Sequence, residues 1–280
     1  MASIEDKRRE FRRLHESGCF AIPNPWDTGS ARYLQHVGFK AIATTSAGFA
    51  FSRGLPDGAI GCDMMLAHVH EIVEATDLPV NADFENGYGD EPEEMEKNVR
   101  LCVEAGVAGV SIEDNSGRKD RPLYDVDLAA ERISAAKAAI GDSDVVLVGR
   151  AECFLVGRNE IDEVIRRLTA YSQAGTDCLY APGIRESAHI SAVVAAVAPK
   201  PVNLLIGGAI GLTMTDAASL GIRRVSVGGA LARAAWGGFI RAAKELAEHG
   251  TFDRFAPATP HAELQEFFKK SLVTSSHVES

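Results

Sequence analysis

Four stretches of this chain repeat one punctuation: a helical pattern, a glycine, a short spacer and an apolar run. They are LQHVGFKAIATT, CVEAGVAGVSIED, SQAGTDCLYAP and ASLGIRRVSVGG, broken at Gly38, Gly106, Gly175 and Gly221. Glycine just past a helix supplies the left-handed backbone that closes it, and the run that follows is short enough for a buried strand. Before the second break, Met95, Val99, Cys102 and Val103 form one apolar stripe. Ile161, Val164, Ile165, Leu168 and Tyr171 do the same before the third. Pro92 suits the first turn of the earlier helix. The runs CFAIPN, PVNAD, DVVLVGR and KPVNLLI extend the alternation. Eight strands are thus predicted near 19–24, 40–45, 79–83, 108–113, 145–150, 177–181, 201–206 and 223–228, with helices between them. Within 280 residues this predicts an α/β protein, a (β/α)8 TIM-type barrel, for which about 250 residues suffice. An open nucleotide-binding sheet would carry a GxGxxG turn after its first strand, where this chain has NPWDTGSA. The barrel is expected to occupy 1–250, with a helical extension over 251–280.

Twenty-nine basic against 39 acidic side chains give a net charge of −10. Nucleic acid and anionic membranes need a basic face, so neither is an expected partner. A small anionic substrate stays open, because a bound cation reverses the sign locally. No apolar run approaches the roughly 20 residues of a membrane span. The opening MASIEDKRREFRRLHESG is charged and has no apolar signal core. Five scattered cysteines without a CxxC pair argue against a zinc site or a disulfide framework, and a cytoplasmic location is expected.

In such a barrel the C-terminal strand ends build the active site. Here they carry Thr44, Thr45 and Ser46; Asp83 and Glu85; Glu113 and Asp114; Arg150 and Glu152; and Asn203, with Asp57 in a Pro-Asp-Gly turn after the second strand. Carboxylates meeting at one mouth repel unless protons or a cation compensate. Oxygen donors with no His or Cys beside them suit Mg²⁺ or Mn²⁺ better than zinc. Asp114 and Asp90 read as helix caps or turn formers. Arg150 reads either as an ion-pair partner of these acids or as a clamp for an anionic substrate group. No histidine is given a catalytic role.

Four motifs, NPWDTGSARYLQHVGFKAIATTSAGFAFSRGLPDG, NADFENGYG, GVAGVSIEDN and VGRAECF, follow one another along the chain. In order and spacing they resemble the isocitrate lyase/phosphoenolpyruvate mutase superfamily, and the likeness covers roughly 10–250. It implies a barrel that binds Mg²⁺, acts on 2-oxo acids through an enolate, and forms a homodimer or homotetramer that exchanges its last helix. By position it implies Asp83, Glu85, Glu113 and Asp57 as the metal-site acids, with Asp83 the direct ligand. It implies Arg150 on the substrate's anionic group, the Thr45–Ser46 amides on its carboxylate, and Glu152 and Asn203 nearby. Isocitrate and methylisocitrate lyases carry Lys-Cys-Gly-His after the fourth strand; here that stretch is NSGRKDRPLYD, without Cys or His.

The leading expectation is a Mg²⁺-dependent carbon–carbon lyase or decarboxylase for a small 2-oxo or 2-hydroxy dicarboxylate, of the oxaloacetate or 2-methylmalate type. Alternatives are a phosphoenolpyruvate mutase-like or phosphonopyruvate hydrolase-like enzyme, and a non-catalytic 2-oxo acid binder. Aldol-type cleavage needs a base, for which Tyr124, Lys119 or a metal-bound water are candidates, and Glu113 and Arg150 complete the expected catalytic set. Residues 115–125, with Gly117 and five charges, are expected to form a mobile cover. Leu264, Phe267, Phe268, Leu272 and Val273 make an apolar stripe on a last helix, expected to pack on a neighbouring subunit.

Overall fold

The structure is a computed structural model that describes residues 2–276, with side chains as far as 271. Eight parallel strands form one sheet: β1 (Phe20–Ile22), β2 (Ile42–Ala43), β3 (Val80–Asp83), β4 (Gly109–Glu113), β5 (Val146–Arg150), β6 (Cys178–Tyr180), β7 (Val202–Leu205) and β8 (Arg224–Ser226). Each lies inside a predicted run. The order β1-β8-β7-β6-β5-β4-β3-β2 brings the last strand back to the first. Between β1 and β2 the ring is bridged by the Ala43 amide donating to the Pro23 carbonyl (3.1 Å) and the Asn24 side chain donating to the Thr44 carbonyl (2.9 Å). The chain is a nearly closed TIM-like barrel with C-terminal helices.

The four repeat glycines have φ between 85° and 110°. That conformation is nearly strain-free only without a Cβ, so each ends its helix and turns the chain into a strand. The predicted stripes are buried. Met95, Val99 and Cys102 lie on α5 (Pro92–Glu104), which has Pro92 in its first turn; Val164, Leu168 and Tyr171 lie on α7 (Ile161–Gln173). Before these run α1 (Ile4–Glu16), α2 (Thr28–Val37), α3 (Ser46–Ser52) and α4 (Cys62–Glu74), with α6 (Val126–Ile140) between them. After them come α8 (Ser187–Val197) and α9 (Met214–Ser219).

Strand residues alternate between the two faces of the sheet. Val110, Ile112 and Leu147 join the layer between sheet and helices, while Val146 and Val148 join a second cluster with Phe11 of α1. Counting in twos from these, Asn81 and Asp83, Gly109 and Glu113, and Val146 and Arg150 share the inner face. Gly109 is glycine for a reason: a Cβ there would stand 2.5 Å from the Phe11 ring. Phe11 thereby reaches the interior from the N-terminal end and leaves the opposite mouth to the strand-end charges.

Residues Ala2–Gly229 form one compact unit, and a second begins at Ala230. The second holds α10 (Ala230–His249), assigned above to the barrel domain, and α11 (His261–Ser276). In it Trp236, Phe239, Phe252, Phe255, Leu264 and Phe268 are exposed. Of the expected stripe, the Leu272 and Val273 side chains lie outside the described residues. Among the described residues no helix is long and apolar enough to cross a membrane.

Candidate active site at the barrel mouth

Parallel register sets Glu113 beside Arg150, and Arg150 beside Tyr180, at the ends of adjacent strands. The Arg150 guanidinium therefore stands among carboxylates. It donates to Asp83 Oδ1 (2.5 Å) and Glu152 Oε1 (2.8 Å), lies 3.0 Å from Glu113 Oε2, and sits 5.1 Å from the Tyr180 ring centre. Burial alone would weaken this cation, but Glu113, Glu152 and Asp83 outweigh it and hold its pKa well above the ordinary value. Asp83 Oδ2 accepts from both the Ser46 amide (3.0 Å) and the Ser46 hydroxyl (3.1 Å).

Beside this cluster lies a cavity of about 530 Å³ lined by Ser46, Asp57, Glu85, Glu113, Arg150 and Glu152, and by Tyr88, Asn86 and Asn115. Its acids are poorly compensated. Burial, then the charges of Asp83 and Asp57, push Glu85 up to about 7. Burial and Asp83 raise Asp57. Burial raises Glu113 and Glu152, with Arg150 opposing. Glu85 Oε1 is shut away from solvent with no hydrogen-bond partner among the described residues. A carboxylate oxygen in that state costs free energy unless something completes it.

These oxygens fit a hard divalent cation. Among the described residues no three His, Cys, Asp or Glu side chains converge to hold one ion directly. Mg²⁺ needs only one or two protein carboxylates, with waters completing its shell. Asp57, Glu85 and Glu113 face the cavity, whereas Asp83 is held by Arg150 and Ser46 and is not among the lining residues.

Several expected site residues are placed elsewhere. The Thr44 hydroxyl accepts from the Asp83 amide (2.8 Å), and Thr45 caps α3 by accepting from the Gly48 amide. Both are buried, and with the Ser46 amide given to Asp83, the Thr45–Ser46 turn holds a protein carboxylate where a substrate's was expected. Asn203, two residues short of the end of β7, faces the barrel interior and bonds Ser226 and Arg224. Tyr124 is buried, its hydroxyl donating to Asp90 (2.6 Å) and accepting from Asn86 (3.1 Å), and it does not line the cavity. Lys119 sits on an exposed turn outside it. Residues 115–125 are more packed than a free cover: Asn115 pairs with Leu123, Leu123 and Tyr124 are buried, and Arg118 pairs with Asp90.

Asp114 caps no helix. Its carboxylate accepts from the Glu152 amide (2.8 Å), the Tyr171 hydroxyl (2.5 Å) and Arg167 (2.9 Å), and so fixes the backbone behind Arg150. Tyr88, Asn86 and Asn115 were given no site role from sequence. The first two lay inside the NADFENGYG motif, which was the available signal.

The family model for phosphoenolpyruvate phosphomutase matches residues 11–247. The chain is 33% identical over 229 residues to the oxaloacetate decarboxylase of Paraburkholderia xenovorans (strain LB400), covering 78% of this chain and 74% of that one. A crystal structure of a candidate lyase/mutase from Burkholderia cenocepacia J2315 is 48% identical, with a TM-score of 0.92 over 95% of this chain and 97% of that one. Oxaloacetate acetylhydrolase, solved with its product oxalate, is 27% identical with a TM-score of 0.85 over the full length of both. A phosphonopyruvate hydrolase of the same fold, 24% identical with a TM-score of 0.83 over 98% of this chain and 99% of that one, was solved with oxalate and Mg²⁺. With most of its length matched by the family model and by these relatives, the chain belongs to the phosphoenolpyruvate mutase/isocitrate lyase superfamily.

Proposed function

We propose that the chain is a Mg²⁺-dependent carbon–carbon lyase or decarboxylase acting on a small 2-oxo or 2-hydroxy dicarboxylate, with oxaloacetate the first substrate to try. One observation carries the reading. A single guanidinium, Arg150, is packed among acids at the edge of a cavity that four carboxylates, Asp57, Glu85, Glu113 and Glu152, also line. Glu85, Glu113 and Asp57, which line the cavity, would hold the ion, joined by Asp83 once a substrate anion takes its place on Arg150. The ion when bound supplies positive charge to an enolate oxygen.

The chain's own groups do the rest. Arg150 is the one guanidinium among the described lining residues, and a substrate carboxylate that displaces one of its acid partners gains a charge-assisted pair. Asp114, Arg167 and Tyr171 hold the backbone beneath it, so the fork keeps its aim during that exchange. Loss of CO₂ from a 2-oxo dicarboxylate leaves its electron pair on the 2-oxo group and needs no base at the leaving carbon. That agrees with a lining that, among the described residues, offers no Cys, Lys or His. Aldol cleavage would need a base; Tyr124 and Lys119 do not reach the cavity, whereas the carboxylates of Glu85 and Glu113 line it.

The test is a Mg²⁺-supplemented panel of oxaloacetate, 2-methylmalates, isocitrates and phosphonopyruvate. Pyruvate and glyoxylate release and phosphorus-31 NMR are the readouts. Enzyme-dependent pyruvate release from oxaloacetate or a 2-methylmalate is expected. Turnover of phosphonopyruvate alone would replace the reading with a phosphonate enzyme, and binding without turnover would replace it with a 2-oxo acid binder.

A further inference from the structure

The loop between β3 and α5 is clamped from several sides. Arg132 of α6 donates to the carbonyls of Asn86, Gly89 (2.7 Å) and Asp90, while its guanidinium lies 4.3 Å from the Tyr124 ring centre. Asn98 of α5 donates to the carbonyls of Gly87 (3.0 Å) and Tyr88 (3.1 Å). The Tyr88 amide is taken by the Asn86 side chain (3.0 Å). The Tyr88 ring meets Phe84 edge to face, with 5.0 Å between centres. Two non-glycine residues of this loop, Glu85 (φ 45°) and Tyr88 (φ 58°), are held in the left-handed region. Such backbone is costly and persists where the surroundings over-determine it. The position of Tyr88 is therefore imposed.

What the clamp delivers is a hydroxyl with nothing to bond. Tyr88 lines the cavity, and its oxygen is closed to solvent without a hydrogen-bond partner among the described residues. A phenylalanine at this position would keep the contact with Phe84 and avoid the stranded group, so ring packing alone does not explain a tyrosine here. Burial, then the charges of Glu85 and Asp83, drive the hydroxyl pKa far above its ordinary value, which keeps the proton on the oxygen. A permanently protonated phenol beside an acid-lined cavity can donate to an anionic oxygen that enters it.

We propose that Tyr88 is a substrate-contacting residue whose hydroxyl donates to an anionic oxygen of the bound 2-oxo acid. This rests on the function proposed above. A site that buries a donor for a particular acceptor rejects ligands lacking that acceptor, so Tyr88 sets which small acids are held. It does so without serving the cation, because an O–H donor offers a cation little beside the carboxylates around it.

The experiment is calorimetric titration of the full chain, wild type and Tyr88→Phe, first with Mg²⁺ and then with oxalate as probe, alongside ligand-free thermal melts. The variant is expected to bind Mg²⁺ as the wild type does, to bind oxalate about tenfold more weakly, and to melt at the same temperature or higher. Equal oxalate affinity in the two proteins overturns the inference and leaves the proposed function standing. A fall in melting temperature together with the affinity marks Tyr88 as a packing residue and also overturns it. No oxalate binding by the wild type overturns the proposed function, and this inference with it.

Discussion

At the N-terminal end of the barrel, cations meet backbone carbonyls. Lys7 donates to the carbonyls of Thr76 (2.7 Å) and Val73, Arg8 to those of Val103 (2.8 Å), Val107 and Ser143, and Arg12 to those of Asp144 and Val145. Lys200 does the same for Ser172 and Thr176. At the C-terminal mouth the charges meet one another: Arg150 faces Asp83, Glu113 and Glu152, and Glu85 keeps an oxygen without a partner among the described residues. The first end joins charges mainly to fixed dipoles, with Asp177 shared between Arg12 and Lys137, and its work is to hold the fold. The second crowds like charges whose repulsion a bound cation would relieve. The groups named at the first end are thus completed by the chain, whereas Glu85 at the mouth is not.

Arg150→Ala breaks this contrast at its sharpest point. It is expected to lower turnover of the true substrate roughly 10²–10³-fold, the cost of removing a preorganised charge from a reacting site. Steady-state kinetics check this, and a variant with unchanged kcat/KM would place Arg150 outside the chemistry. At the other end, Arg8→Ala removes bonds to three carbonyls. It should cost about 1–3 kcal/mol of stability in urea denaturation, while kcat/KM stays at the wild-type value.

A smaller effect is tied to pH. The Glu85 carboxyl is raised from its ordinary 4.5 to about 7. Between those values the folded chain holds this proton more tightly than the unfolded chain, so stability falls as pH rises through that window. Asp57 and Glu113 shift in the same direction. The metal-free protein should melt at progressively lower temperature from about pH 4.5 to pH 7, and Glu85→Gln should flatten part of that slope. Partial solvent access keeps the change modest. Melts across pH check it, and an equally steep slope in the variant would remove Glu85 from the account.

The same division explains what could be read in advance. Eight strands were legible because each is bracketed by local signals, such as Gly106 before GVSIE and Pro79 before VNAD. That Asp83, Glu113 and Arg150 meet was legible because a strand end in the chain is a strand end in space. Thr44, Asn203 and Tyr124 were misplaced because residue type and position do not reveal which way a side chain turns or what it meets. Thr44 turns to the neighbouring strand, Asn203 to Arg224, and Tyr124 to Asp90. Asp114 reads as a cap or turn former in the sequence because its partners, Arg167 and Tyr171, come from a helix more than 50 residues away. Tyr88 was passed over because its placement depends on left-handed backbone at two residues that are not glycine.

The most direct test of a mouth kept incomplete for a cation and a 2-oxo acid is calorimetry on Asp83→Ala. Wild type should bind Mg²⁺, and oxalate only when Mg²⁺ is present. The variant should lose most of that Mg²⁺-dependent oxalate binding while keeping the wild-type circular dichroism spectrum, since Arg150 retains Glu113 and Glu152 as partners. Mg²⁺ and oxalate affinities unchanged by the substitution would contradict the assignment.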